Sequence, residues 1–248
     1  MYHPNELYHH GIIGQRWGVK NGPPYPLRSP NESRDRAFAK KNLKGARTAN
    51  LDKWGQDASH NTLYIIGGSG SGKSTTALGI AKKNDSVIHL DGYAEEVPSL
   101  RNKKFNDFLD RSAPDWREIP KAQSGNSKVK PFSKEYWILV DQLKDSIEQY
   151  SIREFAKGNR VIVEGVQLAD GWYTDDKLYF KDQPLIIMKT GMISSMIRAG
   201  NRDEISVLDI GHLTKVIEAS LATNRNIKEI ENLIETKNGK DFVEELFA

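Results

Sequence analysis

The run Gly67-Gly68-Ser69-Gly70-Ser71-Gly72-Lys73-Ser74 limits this chain to few folds, because it puts a glycine-rich turn, a lysine and a hydroxyl between a strand pattern and a helix pattern. It satisfies G-x-x-x-x-G-K-[ST] in full. It also follows the apolar run Thr62-Leu63-Tyr64-Ile65-Ile66 and precedes a helical stretch predicted over 74–83, which is the context the motif requires. Each part has a separate physical role. Glycines let the backbone close around a phosphate with its N–H groups pointing inward. The following helix adds its unpaired N-terminal donors and the positive end of its dipole. Lys73 has the reach to neutralise β- and γ-phosphates, and the Ser74 hydroxyl suits Mg²⁺. The expected ligand is therefore ATP, or GTP, with Mg²⁺.

Around this loop the apolar positions predict alternating strands and helices. Val87-Ile88-His89-Leu90, Arg160–Glu164 and Pro184–Met188 read as further strands, short and apolar as in a parallel sheet buried on both faces. Tyr136, Leu139, Leu143, Ile147, Tyr150 and Phe155 recur at helical spacing over 133–157, with Ser133 as N-cap and Gly158 as stop. Two more helices are expected over 192–203 and 213–235. Residues 95–134 are polar and interrupted by Pro98, Pro114, Pro120 and Pro131, and are expected to form loops and short helices over a substrate site. The fold class that follows is α/β, a parallel sheet covered by helices on both sides, with ligands at the carboxyl ends of the strands.

Residues 1–32 carry Pro4, Pro23, Pro24, Pro26 and Pro30 and show neither period, so they read as an extended arm. The assigned boundary lies at 55/56, with a basic, Pro- and Gly-containing segment over 1–55 and the domain over 56–248. Residues 1–60 hold ten Lys and Arg against five Asp and Glu, so the net charge of +3 is concentrated there. Such an arm suits nucleic acid, an acidic protein or a particle surface, or simply solubilises. His3, His9 and His10 lie on no regular element and are not taken as a metal site. The chain has no cysteine, which excludes a disulfide scaffold and thiolate metal ligation. No run approaches the ~18 apolar residues of a membrane helix, so a cytoplasmic or particle-associated protein without membrane contact is expected.

Two carboxylates end strands and are each followed by glycine: Asp91-Gly92 and Glu164-Gly165. Asp91 suits a base beside an acceptor hydroxyl. Glu164 suits either the Mg²⁺ water shell or the orientation of the acceptor, and each could instead cap a following turn. Arg198 and Arg202, four apart on an expected helix, share a face and suit a transferring phosphoryl group, or else a salt bridge to Asp203 or Glu204.

Together these residues resemble the uridine kinase and phosphoribulokinase-type family of P-loop NTPases. The likeness rests on Ile65 to Thr75, on Asp91 with Tyr93, on Glu164-Gly165 and on Arg198-x-x-x-Arg202-Asp203, and it covers about residues 61–205. It implies a three-layer sandwich and transfer of the ATP γ-phosphate to a hydroxyl, with Gly67 to Thr75 on the nucleotide, Asp91 as base and the arginines on the phosphates. The family's acceptor-binding segment and adenine-contacting loop have no counterpart here. The stretch Glu6 to Val19 resembles a leader of bacteriophage and prophage proteins, some head-associated, which implies a docking or packaging segment that contacts a phage structural protein. A polynucleotide kinase is the second reading, from the basic arm and Lys121, Lys128, Lys130 and Lys134. A non-catalytic nucleotide-binding virion protein is the third.

Overall fold

Strands rich in Val, Ile and Leu on both faces can be stable only between two layers of helices, and the sheet of this chain is built that way. The computed structural model describes residues 33–68, 71–90, 103–123, 127–130, 133–165, 167–170, 180–189 and 210–247. Six strands, β1 (Arg47–Ala49), β2 (Thr62–Gly67), β3 (Ser86–His89), β4 (Val161–Glu164), β5 (Leu185–Met188) and β6 (Lys237–Asn238), form one sheet in the order β3-β4-β2-β5-β1-β6. β3, β4, β2 and β5 are mutually parallel, with Ile65 opposite Glu164 and Ile186, and His89 opposite Glu164. The strand order reverses around β2: the chain leaves β2 for β3 on one side and later passes from β4 to β5 on the other.

The sheet is mixed rather than wholly parallel as expected. β1 runs antiparallel to β5 and to β6, closing the β5 edge. Arg47 holds this margin, donating from Nε to Thr236 Oγ1 at 3.0 Å and from a terminal nitrogen to Asn238 Oδ1 at 2.9 Å.

Strand alternation sorts the core into two layers. Tyr64, Ile66, Val161, Val163, Leu185 and Ile187 face one side, against α3 (Lys103–Ser112), α4 (Glu118–Gln123), α5 (Lys134–Phe155) and α7 (Ile210–Leu233). Leu63, Ile65, Ile162 and Ile186 face the other, against α1 (Ser33–Leu43), α2 (Lys73–Ile80) and the C-terminal α8 (Val243–Phe247). A four-residue helix, α6, spans Gln167–Asp170.

The boundary at 55/56 does not mark a structural break. Ala39 and Leu43 of α1 are fully buried with Ile65 and Ala77, and a Cβ on Gly79 of α2 would stand 2.4 Å from the Asp35 carbonyl oxygen, so the helices touch backbone to side chain. Burying Leu43 alone contributes ~1.5–3 kcal/mol. Residues 33–55 therefore belong to the domain, and among the described residues nothing separates them from it. Residues 1–32 lie outside the described residues, as does the helix expected over 192–203.

Segment 103–123 forms short helices as expected, and these also supply core: Phe105, Phe108 and Leu109 are spaced for one helix face, and Trp116, Ile119 and Ala122 continue the same layer. α5 has both expected ends. Ser133 Oγ accepts from the Tyr136 amide at 3.2 Å, and Gly158 takes a positive φ of 75° beyond the last turn. α2 stops at Ile80 rather than Lys83, because the Lys82 amide turns to donate to Asp85 Oδ2 at 2.8 Å.

Candidate functional site

β2 ends at Gly67, and α2 begins at Lys73 with Gly72 as its N-cap. Gly72 has φ 89°, a conformation open to glycine and costly for other residues. A Cβ there would also lie 2.7 Å from Asn42 Nδ2 of α1. Lys73 is buried and donates from Nζ to the Gly68 carbonyl at 3.0 Å, so the loop's cation is folded back across its own turn. Ser71 is buried, with a hydroxyl that has no hydrogen-bond partner among the described residues, and Thr75 is half-buried on the first turn of α2.

Register and alternation bring the second component to the same place. Glu164 shares its face of β4 with Ile162, and His89 shares its face of β3 with Val87; both faces look toward α2. Ser74 Oγ donates to Glu164 Oε1 at 2.8 Å, and His89 Nδ1 lies 2.6 Å from the same oxygen. Glu164 is 1% exposed, and its other oxygen, Oε2, has no partner among the described residues. Burial pushes the carboxyl upward, but the His89 hydrogen bond and charge, the Lys73 ammonium and the Ser74 hydroxyl together hold it below its ordinary value. An ionised carboxylate is thus buried at the foot of the loop with half of its acceptor capacity unused.

These donors fit Mg²⁺. The ion favours oxygen ligands and is commonly held by one or two carboxylates with substrate phosphates rather than by a closed protein cage. Ser74 Oγ and Glu164 Oε2 are oxygens of the right kind at one spot, and the orphaned Oε2 is what a cation or its water shell would satisfy.

Of the residues expected from sequence, the structure brings Gly67, Gly68, Ser71, Gly72, Lys73, Ser74 and Thr75 together with Glu164. Ser69, Gly70, Asp91, Arg198 and Arg202 lie outside the described residues. Two residues were not anticipated. His89 sits in the strand run Val87–Leu90 with no site signal of its own; only the β3–β4 register brings it beside Glu164. Asn42 was placed in the arm, yet its Nδ2 donates to Thr76 Oγ1 at 3.0 Å and braces α2 beside Gly72.

Comparison with family models, curated proteins and solved structures found no match, so the reading of this site rests on its own geometry and on the loop pattern.

Proposed function

We propose that this chain is a P-loop phosphotransferase that transfers the γ-phosphoryl group of Mg·ATP, or Mg·GTP, to a hydroxyl acceptor. The observation that carries the reading is the 2.8 Å contact of Ser74 with Glu164, which ties the glycine-rich loop to a buried strand-end carboxylate with a free oxygen. The loop amides and the N-terminus of α2 hold the β- and γ-phosphates, and Lys73 turns from the Gly68 carbonyl to neutralise them. Ser74 and Glu164 would hold Mg²⁺, which would supply charge stabilisation to the transferring group. Asp91 takes the acceptor's proton as the acceptor oxygen bonds to the γ-phosphorus and the bridging oxygen departs with the nucleoside diphosphate. Arg198 and Arg202 stabilise that charge. Glu164 has a second assignment, orienting the acceptor, and mutation separates the two.

The arm over 1–32 is proposed to dock on a phage structural protein, on the strength of its leader-like stretch, which would place the protein in a host cytoplasm or a virion. No described helix is long and apolar enough to cross a membrane.

The test is a thermal-shift series followed by a ³²P-transfer screen against nucleosides, nucleotides, sugars and 5′-hydroxyl oligonucleotides. Millimolar Mg·ATP or Mg·GTP should raise Tm by mass action. Lys73→Ala should abolish that shift and all transfer, because backbone amides alone do not balance the β/γ charge. A Tm indifferent to both nucleotides would sink the assignment.

A further inference from the structure

We propose that His89 is a positioning residue for the phosphate loop. By holding Glu164 through Nδ1 it keeps that carboxylate from pairing with Lys73, and so keeps the lysine available for the phosphates. The role rests on the phosphotransferase reading, since it acts on phosphate binding.

Opposite charges buried in one place should join. Lys73 and Glu164 are 6% and 1% exposed, and the Lys73 ammonium is close enough to help hold the Glu164 carboxyl below its ordinary value. With both groups out of water, their attraction is little screened. Yet they stay apart. Lys73 Nζ donates to the Gly68 carbonyl at 3.0 Å, while the ion pair that Glu164 makes among the described residues is with His89. A collapsed Lys73–Glu164 pair would take from the loop the cation that its phosphates need.

Two donors on Oε1 keep the carboxylate where it is. Ser74 Oγ stands at 2.8 Å and His89 Nδ1 at 2.6 Å from that oxygen. An ionised carboxylate only accepts, so the bond requires a proton on His89 Nδ1. The bond is the same whether the ring is neutral or charged. Ser74 alone would leave the carboxylate free to turn, because a hydroxyl follows its acceptor by rotating. His89 cannot follow in that way: its ring is rigid, and its side chain is 10% exposed.

The strand register leaves this task to His89. Glu164 is flanked by His89 on β3 and by Ile65 on β2, each directly opposite it. Ile65 is fully buried, and its side chain has no polar atom to offer. His89 is therefore the strand neighbour that can hold the carboxylate, on the face of the sheet that looks toward α2 and its Lys73.

A histidine that merely fastened β3 to β4 would make the same contact. Its removal would lower Tm, and any loss of phosphate binding would follow from damage to the sheet, whatever the charge at position 164. The positioning role differs in one respect. Loss of binding requires the Glu164 carboxylate to be present, because that charge is what captures Lys73.

Calorimetric titration of the full chain with inorganic tripolyphosphate and with ATP, both in EDTA, measures the loop and Lys73 without metal. His89→Phe keeps a ring and removes the donor. It should weaken both ligands about tenfold, the scale of one hydrogen bond to a charged group. His89→Leu repeats the test with a smaller side chain, should the phenylalanine not fit. His89→Asn can place its amide nitrogen where Nδ1 stands and should bind as the parent does. In a Glu164→Gln background, where no charge draws Lys73 aside, His89→Phe should cost nothing further. Parent-like affinity in the Phe and Leu variants would overturn the role. So would an equal loss with and without the Glu164 charge, or a loss in His89→Asn as large as in His89→Phe. A parent that binds neither tripolyphosphate nor ATP would instead overturn the phosphotransferase reading, and this role with it.

Discussion

The two ends of the central strands contrast in how they use buried polar groups. At the amino ends, Arg160 stacks over Trp54 at 3.7 Å from the ring centre and reaches Asp85 with two nitrogens, at 2.7 and 3.3 Å. Asn61 Nδ2 donates to the Ser151 and Asn159 carbonyls, Tyr150 meets Ser86, and one amide oxygen, Asn61 Oδ1, is left over. At the carboxyl ends a hydroxyl (Ser71) and a carboxylate oxygen (Glu164 Oε2) are buried without partners among the described residues, and a buried lysine is folded onto a backbone carbonyl. A buried polar atom without a partner costs about 1–3 kcal/mol, and more when charged. A fold carries such a cost where the atoms serve something besides the fold. One end fastens the sheet; the other keeps a hydroxyl and a carboxylate oxygen that the proposed phosphate and Mg²⁺ ligands would satisfy.

Glu164→Gln should produce the largest break in this comparison. The change keeps the shape and the Ser74 contact but removes the charge. If Glu164 serves Mg²⁺, the metal-dependent part of ATP affinity should fall about 10–100-fold, as for groups that support a metal site. If it orients the acceptor, affinity should hold while turnover falls by about 10²–10⁴-fold. Mg²⁺-dependent affinity and single-turnover rates distinguish the two. Unchanged values in both would remove Glu164 from the site.

How much of this was legible in the sequence followed how local each signal is. The loop, β2, β4 and β5 could be read because fully buried strands are unbroken apolar runs, and α5 because its spacing and Ser133 cap lie within one segment. β1 could not: Arg47-Thr48-Ala49 has no strand pattern of its own and becomes a strand by pairing with β5. His89 and Asn42 escaped for the same reason, since the first depends on a register and the second on a helix crossing. The core role of 103–123 was available in the spacing of Phe105, Phe108 and Leu109 but was masked by neighbouring prolines.

Arg160→Ala should show the opposite profile to Glu164→Gln. It removes the stack on Trp54 and leaves Asp85, 5% exposed, without its cation. Breaking a buried pair from one side costs about 3–5 kcal/mol; the part-exposed guanidinium reduces that here to about 2–3 kcal/mol. For a domain of this size Tm should fall by roughly 5–10 °C. The Mg·ATP-induced shift should persist. Loss of nucleotide binding in a folded Arg160→Ala protein would mean that the two ends are not independent.

The smallest expected effect compares two buried glutamates, Glu154 at the amino end and Glu164 at the other. Glu154 is 2% exposed and accepts from Lys157 and from Asn159 Nδ2, the latter at 2.8 Å. Burial pushes its carboxyl up, and the Lys157 and Asn159 bonds more than offset that, so its folded value lies below the ordinary 4.5. A depressed folded value means stability that is fully present above about 4.5 and lost as pH falls through the folded value. Glu154→Gln should therefore destabilise the protein slightly at pH 7, by less than about 1 kcal/mol because Lys157 is largely in solvent, with a correspondingly small fall in Tm. The gap to the parent should close as the pH drops from 5 toward 3. Melting curves across that range test it. Parallel Tm–pH profiles for the two proteins would show that Glu154 contributes no charge-dependent stability.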